Sequence, residues 1–306
     1  MTISFQTIKQ LAQYCGFALC GIAKSEPLIN EQERFKKALA QNYHAQRAYL
    51  ERDIEKRFHP SLMLDNCKSV VVCGFNYYMK REVGGERYKI SKHSQIRDYH
   101  LFMKDKLENL AHRLEEKIGA FHYRATVDSS NISEKAWAVQ AGIGYYGKNG
   151  IIQTQFGSFV FIGILLIDKE VDKYDKPTTN SCGNCSRCID ACPVQAIVEP
   201  YYIDCNQCIT AITSNKKETD FSGISKYGWF NACDECQNVC PNNAHTPINT
   251  EAVLMRASFL ENKTEILETL TPESFEHYFK NTVLYPFKYE GLKRRVETFK
   301  EKNSCF

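Results

Sequence analysis

The feature that most constrains this 306-residue chain is a dense run of cysteines, because nine of its 14 cysteines lie between Cys182 and Cys240. The first four follow the spacing C-x2-C-x2-C-x3-C-P, which ends at Pro193. In bacterial ferredoxins, the first three cysteines of this run hold one 4Fe–4S cluster and the fourth reaches a second cluster. A disulfide framework would instead spread its cysteines through a short chain. The run therefore predicts iron–sulfur chemistry.

A second, shorter set of cysteines follows the first, with the spacing C-x2-C-x3-C-P up to Pro241. It lacks one cysteine of the full run, and either Cys205 or Cys208 can complete it. By the crossed pattern of two-cluster ferredoxins, one cluster is predicted on Cys182, Cys185, Cys188 and Cys240. The other cluster is predicted on Cys192, Cys233, Cys236 and one of those two upstream cysteines.

Zinc bound by two C-x2-C pairs is the alternative for this segment, but zinc sites rarely carry the spacing of the first run. The remaining cysteines have no ligand spacing and are predicted to be free thiols: Cys15, Cys20, Cys67, Cys73 and Cys305.

Hydrophobic periodicity divides the chain into three predicted parts: residues 1–170, 171–250 and 251–306. The first part interleaves helical patterns at 5–14, 31–50 and 98–117 with strand-like runs at 69–78, 120–127 and 159–167. The predicted fold class is an α/β (α+β) domain, followed by a ferredoxin-like module for two clusters and a short helical C-terminal segment.

Composition and charge exclude little beyond disorder. The net charge of +3 is too small to indicate nucleic-acid binding by itself. The N-terminal stretch contains Lys9 and no apolar core, so we expect no signal peptide and a cytoplasmic protein. The longest apolar run, residues 156–167, is too short to span a bilayer. We expect no membrane contact and a monomer.

Clusters transfer electrons without performing organic chemistry, so we expect the reaction centre in the first 170 residues. No G-x-G-x-x-G in these residues follows a predicted strand, so there is no dinucleotide fingerprint, and no P-loop is present. Their most informative stretch has a strand that ends at Asp128, then a helix, then a glycine-rich turn with Lys148 and Asn149. At the end of a strand, Asp128 can be a general acid beside a ligand or an ordinary turn or N-cap residue.

The order of these motifs along the chain resembles the epoxyqueuosine reductases, which are cobalamin-dependent iron–sulfur enzymes of tRNA modification. The resemblance extends from about Ile8 to Asn303. It is carried by His59-Pro60, Asp98-Tyr99-His100, Asp128 with Glu134, the segment from Gly142 to Asn149, Gly157-Ser158, Gln207-Cys208 and both cysteine sets.

This resemblance implies that the front domain binds cobalamin and that two clusters pass electrons to its cobalt one at a time. The epoxide oxygen of epoxyqueuosine, at the tRNA wobble position, would leave as water after two electrons and two protons are taken up. Asp128 matches the family's proton donor, and exclusion of water would raise its pKa and keep it protonated. Cys208 matches the family's Cys-Ile motif, so Cys205 is left as the spare.

The resemblance also implies cofactor contacts and partners. The implied cobalamin contacts are Arg57, His93, Asp128, Lys148, Asn149, Gln153, Gly157 and Ser158. The implied partners are a tRNA that carries epoxyqueuosine and an electron donor of the flavodoxin or ferredoxin type. A basic cluster, Lys293, Arg294 and Arg295, is predicted to contact tRNA phosphates, the alternative being a solvated helix face.

Two other functions compete with this interpretation. A reductive dehalogenase shares cobalamin and two clusters, but those enzymes usually carry a twin-arginine export signal, which this N-terminus lacks. A ferredoxin-like electron carrier without chemistry of its own would bind no cobalamin and would have an inert Asp128.

Overall fold

The computed structural model describes residues 2–79, 88–128, 130–218, 220–251 and 265–301. The α-helices within these ranges are α1 (Phe5–Tyr14), α2 (Ile29–Ala40), α3 (Tyr99–Ile118), α4 (Glu134–Gln140), α5 (Arg187–Asp190), α6 (Ile209–Ser214), α7 (Glu235–Asn238), α8 (Glu265–Glu268), α9 (Pro272–Phe279) and α10 (Lys288–Glu301). The strands are β1 (Leu19–Lys24), β2 (Ser69–Asn76), β3 (Lys89–Ile90), β4 (Tyr123–Thr126), β5 (Tyr145–Tyr146), β6 (Ile152–Gln153), β7 (Val160–Ile167), β8 (Ile197–Glu199), β9 (Tyr202–Ile203) and β10 (Trp229–Asn231).

The front half is built on a four-stranded antiparallel sheet in the order β1–β2–β7–β4. Side chains alternate between its faces, so Val71 and Cys73 join the core under α1 and α3, whereas Val70 and Val72 join the core under α4. Every residue of β2 is buried because both faces of the sheet are covered. This explains the unbroken apolar run there, and the predicted mixture of helices and sheet is confirmed.

Helix α3 packs closely on the sheet and brings its N-terminus to the end of β4. A Cβ atom on Gly163 of β7 would lie 2.9 Å from Leu107 and 3.1 Å from Met103, so glycine permits this approach. Asp98 caps the helix, because its carboxylate accepts a hydrogen bond from the backbone N–H of His100. The start of α3 is thereby fixed beside the loop that follows β4.

The cysteine segment contains two short helices in equivalent places. Helices α5 and α7 each begin two residues after the first cysteine of a C-x2-C pair, Cys185 for α5 and Cys233 for α7. The two helices contact each other. The hairpin β8–β9 and helix α6 lie between them in the chain. The pairing of α5 with α7 reproduces the twofold pattern of the cysteine spacing.

A third core cuts across the predicted boundaries near residues 170 and 250. Tyr88 and Ile90, from the front half, pack with Trp229 of the cysteine segment and with residues of α9 and α10. Strand β3 also pairs in parallel with β10. Residues 88–90 therefore belong to the same packed unit as the cysteine segment and the C-terminal helices.

The predicted helix 31–50 is wrong beyond Ala40, where α2 ends. Asn42 is in the left-handed conformation, with φ 57°, and the Tyr43 N–H donates to the Ala38 carbonyl. This is a Schellman motif with asparagine in the usual place of glycine. The prediction for Cys305 lies outside the described residues. None of the helices within the described ranges is long and apolar enough to cross a membrane.

Candidate active site

Asp128 stands on an exposed turn directly after β4. Its φ is 49°, a left-handed conformation that aspartate adopts more readily than most residues. Its backbone N–H donates to Glu134 Oε1 at 2.5 Å, which ties the turn to the first residue of α4. The Asp128 side chain is 62% exposed, so its carboxylate can meet a molecule outside the protein.

His100 lies between two carboxylates. Its Nδ1 is 2.5 Å from Asp98 Oδ1, and its Nε2 is 3.1 Å from Asp128 Oδ2. Burial disfavours the charged ring, but the hydrogen bonds to Asp128 and Asp98 outweigh it and raise the pKa of His100 to about 9. At neutral pH the ring is therefore an imidazolium that donates to both carboxylates.

The same contact changes the expectation for Asp128. The hydrogen bond from His100 is the largest influence on its carboxyl and, against burial, holds its pKa below the ordinary value. The sequence predicts a raised pKa for a carboxyl shielded from water. The arrangement observed is an ion pair instead, because His100 brings a positive charge that the sequence analysis did not place beside Asp128.

The group that does hold its proton is Glu134. Burial raises its pKa to about 8, and the hydrogen bond from the Asp128 N–H only partly opposes this. Two proton-bearing groups, His100 and Glu134, therefore contact Asp128 at neutral pH. The next residue, Lys135, is exposed and donates from Nζ to the Gly150 carbonyl at 2.9 Å, which links α4 to the glycine-rich turn.

These pKa shifts predict a loss of stability at alkaline pH. The pKa of His100 rises from 6.5 to about 9 in the folded protein, so its contribution to stability is complete below 6.5 and is lost as pH approaches 9. Glu134 adds a loss of the same sign between 4.5 and about 8. We expect thermal unfolding temperatures to fall over this range, and Glu134→Gln to flatten the fall. An equally steep fall in that variant would contradict the prediction.

Four cysteines from the two sets line one cavity of about 90 Å³: Cys182, Cys185, Cys188 and Cys240. They are the four that the crossed pattern predicts for one cluster. Over the described ranges, no three His, Cys, Asp or Glu side chains form a site for a single metal ion. The thiols instead surround a space, as ligands of a multi-iron group do, so the donor set fits a 4Fe–4S cluster.

The predicted ligands of the other cluster also lie close enough together to affect one another's pKa. Burial raises the pKa of the Cys208 thiol, and the nearby Cys192 adds to the rise. Burial also raises the pKa of Cys236 to about 12, with Cys208 among the contributing neighbours. Cys205 adjoins Cys208 too, but its other charged neighbours are Arg47, Lys135 and Asp204. The choice of Cys208 over Cys205 stays a prediction.

Comparison with known proteins identifies the family. A family model described as epoxyqueuosine reductase QueG, DUF1730, matches residues 57–129, and a 4Fe–4S double cluster binding domain matches residues 181–243. The epoxyqueuosine reductase of Cellulophaga algicola is 38% identical over 299 residues, which cover 96% of this chain and 97% of that protein. That of Cyclobacterium marinum is 37% identical over 306 residues, or 98% and 97% of the two chains. The chain belongs to the epoxyqueuosine reductase family.

A solved structure agrees with this assignment. The crystal structure of an epoxyqueuosine reductase with an epoxyqueuosine-modified tRNA-Tyr stem loop is 25% identical and has a TM-score of 0.86, covering 98% of this chain and 82% of that one. The resemblance found in the sequence is confirmed, as is iron–sulfur binding in preference to zinc.

Within this epoxyqueuosine reductase fold, several predicted cobalamin contacts lie against the cysteine segment. Lys148 Nζ donates to the Cys185 carbonyl at 2.9 Å. The Ser158 N–H donates to Asn243 Oδ1 at 2.7 Å, and a Cβ on Gly157 would lie 2.2 Å from the same oxygen. The contacts of Gly157 and Ser158 with Asn243 hold the loop after Cys240 against the front sheet.

Two other predicted cobalamin contacts, Arg57 and His93, differ in how deeply they are buried. Arg57 is 7% exposed, and its guanidinium donates to the Tyr49 carbonyl at 2.9 Å. His93 is half-buried and close to both Asp128 and Asp234; burial lowers its pKa, although those carboxylates oppose the shift. Of these two residues, only His93 adjoins Asp128.

One predicted tRNA contact needs correction. Arg295 is 1% exposed, and its guanidinium packs 4.4 Å from the Phe221 ring and 4.3 Å from the Phe287 ring. It also donates to the Phe230 carbonyl at 3.3 Å. A side chain enclosed in this way cannot reach a phosphate, so Arg295 is a core residue of the third core. Lys293 and Arg294 are exposed, as predicted for phosphate contacts.

Neither His100 nor Glu134 was predicted to have a role in the site, although both lie in motifs of the family resemblance. The signal for His100 was the Asp98-x-His100 pattern at a helix start, where the cap residue can also contact the ring. Lys216 was not predicted to lie near the site either. Burial raises the pKa of Asp98, but the hydrogen bonds and charge of His100 and the charge of the exposed Lys216 hold it below its ordinary value.

Proposed function

We propose that this chain reduces epoxyqueuosine to queuosine in tRNA, with cobalamin as the reaction centre and two 4Fe–4S clusters as the electron relay. In this reaction the two carbon–oxygen bonds of the epoxide break, a carbon–carbon double bond forms, and the oxygen leaves as water. Two electrons and two protons enter. The proposal rests mainly on one observation: an exposed Asp128 is paired with a charged His100, and the neighbouring His93 is close to both Asp128 and Asp234 of the cysteine segment.

The proton path begins at His100, which carries a proton on Nε2 against Asp128 Oδ2 at neutral pH. Asp128 would take this proton from the ring and pass it to the departing oxygen, and the same relay, after the ring regains a proton from solvent, would deliver the second proton. Asp98 keeps the imidazole oriented from the other side. Glu134 would stay protonated below about pH 8 and keep a second negative charge away from Asp128.

The chain's own residues suit a redox cofactor placed between Asp128 and the cysteine segment. His93 adjoins Asp128 on one side and Asp234, next to Cys233, on the other, so a group there is close to both the proton donor and a cluster. When bound, cobalamin supplies a cobalt ion that changes oxidation state and removes oxygen from the epoxide. His93, Asp128 and Lys135 would border it. Arg57, Gly157 and Ser158 would support the site from behind, since Arg57 and Ser158 have buried side chains and Gly157 packs on Asn243.

The direct test is anaerobic reconstitution followed by an assay on tRNA that contains epoxyqueuosine. We expect about eight irons and one cobalt per chain, and loss of the epoxide oxygen, read by nucleoside mass spectrometry, only when a reductant is present. Eight irons without cobalamin uptake would indicate an electron carrier. Turnover of organohalides with no turnover of the modified tRNA would indicate a dehalogenase.

Binding of tRNA should depend on salt and on exposed lysines. Each phosphate contact adds about 0.7–0.9 to the slope of log K against log salt. We expect Lys216→Ala and Lys293→Ala each to reduce that slope by about one contact, measured by fluorescence anisotropy with an anticodon stem loop. Lys36→Ala, an exposed lysine paired with Glu33 on α2, is the control. A slope that none of these changes alters would argue against phosphate contacts at both sites.

A further inference from the structure

One short turn of the front half contacts both predicted cluster sites. It follows β5 and runs from Gly147 to Gln153, the last residue of β6. Lys148 Nζ donates to the Cys185 carbonyl at 2.9 Å, and three side chains of the turn, Lys148, Asn149 and Gln153, line the cavity enclosed by Cys182, Cys185, Cys188 and Cys240. The turn therefore brings polar groups from outside the cysteine segment to the cluster ligands.

Asn149 presents an unused donor at this place. Its side chain is 6% exposed, and its Oδ1 accepts from the Ile151 N–H at 3.2 Å. Its Nδ2 is buried and has no partner in good hydrogen-bond geometry within the described ranges. The Asn149 side chain interacts with the Cys236 thiol, a predicted ligand of the second cluster. A buried amide donor without an acceptor is costly unless an acceptor is added.

Gln153 occupies the equivalent position at the first cluster site, to which Cys240 belongs. It is 1% exposed, and the Cys240 thiol lies 3.5 Å from its Oε1. Among the residues that the structure describes, its Nε2 has only a long contact, 3.5 Å, to the Ile151 carbonyl. A ligating cysteine is a thiolate and can only accept, so rotation of the amide by half a turn would place Nε2 against the sulfur at the cost of that long contact.

We propose that Asn149 and Gln153 are donors to cluster sulfur atoms, Asn149 at the Cys236 ligand of one cluster and Gln153 at the Cys240 ligand of the other. Hydrogen bonds to the sulfurs raise the reduction potential of a cluster, because they stabilise the more negative reduced state. A single turn thereby sets the potentials of both clusters. This role replaces the cobalamin contacts that the resemblance implied for these two residues, and it requires neither tRNA nor cobalamin.

The test measures potentials of the reconstituted full chain by EPR-monitored redox titration. Asn149→Leu should lower the midpoint potential of one cluster by about 59 mV, a tenfold change for a one-electron couple, and leave the other unchanged. Gln153→Leu should lower the other potential alone. Asn149→Ser, whose hydroxyl can accept from Ile151 and still donate, should recover part of the shift. Unchanged potentials, or the same cluster shifted by both leucine variants, would overturn the proposal.

A second measurement keeps the test decisive if a leucine variant loses iron. In the unaltered protein, asparagine and glutamine labelled with ¹⁵N at the side-chain amide should show hyperfine coupling to the reduced clusters by ENDOR. Absence of that coupling would overturn the proposal. A purely structural role of the turn would change iron content but produce no such coupling. Failure here would leave the proposed tRNA reduction intact, since neither readout involves turnover.

Discussion

Asp128→Asn is expected to lower the rate of epoxyqueuosine reduction by about 10²- to 10⁴-fold, the usual contribution of a positioned general acid. Asparagine keeps the size of the side chain and can still accept from His100 Nε2, but its amide cannot carry the transferred proton. The backbone bond to Glu134 does not involve the side chain, so the turn should keep its shape. Single-turnover assays with pre-reduced enzyme would measure the loss at the chemical step.

The controls separate proton transfer from simple loss of structure. Asp128→Asn should retain the iron and cobalamin content of the unaltered chain. Asp65→Asn, at an exposed aspartate outside the site, should retain full activity. His100→Gln should slow turnover and remove the alkaline limb of the pH profile near pH 9, because His100 is the group that titrates there. Full activity of Asp128→Asn would exclude the general-acid role.

Cys208→Ala is expected to remove about four irons per chain, whereas Cys205→Ala should remove none. Both thiols are half-buried and stand three residues apart, so the pair is closely matched. Cys208 interacts with Cys192 and Cys236, whereas the neighbours of Cys205 are Cys208, Arg47, Lys135 and Asp204. Without one of its clusters, the chain should also lose electron delivery and therefore turnover.

Iron analysis and EPR of the reduced protein measure this difference directly. Cys15→Ala, a buried cysteine in the core of the front half, serves as a control for general effects of removing a thiol. Loss of four irons in Cys205→Ala with full iron in Cys208→Ala would reverse the ligand assignment. Four irons lost in both variants would mean that Cys205 stabilises the cluster from outside its ligand set.

The sequence predicts the parts of this protein whose chemistry depends on spacing. Cysteine spacing identifies the cluster segment because ligands to one cubane must recur at short, fixed intervals. The strand that ends at Asp128 was predictable because a β-branched or apolar run followed by a turn is a local signal. What could not be predicted is the tertiary partner of each side chain. The imidazole of His100 comes from another element, and it reverses the expected pKa shift of Asp128.

Arg295 shows the same limit for the tRNA surface. A run of basic residues usually indicates a solvated face, but helix periodicity places Arg295 with Leu292, Val296 and Phe299 on one side of α10. Three aromatic rings then enclose the guanidinium, which periodicity alone does not reveal. For the turn from Gly147 to Gln153, the resemblance indicated a cofactor site but could not say which cofactor each side chain faces.

The pairing of β3 with β10 has a consequence for how the enzyme matures. The segment that leads to Asp98 and His100 is held by Tyr88 and Ile90 in the core that also packs beside the cysteine segment. We expect cluster insertion to stabilise that segment and thereby to hold in place His100, which pairs with Asp128. A cell short of iron would then accumulate chains that lack both the electron path and a properly held proton donor. Such chains could deliver neither the electrons nor the protons that the reaction needs.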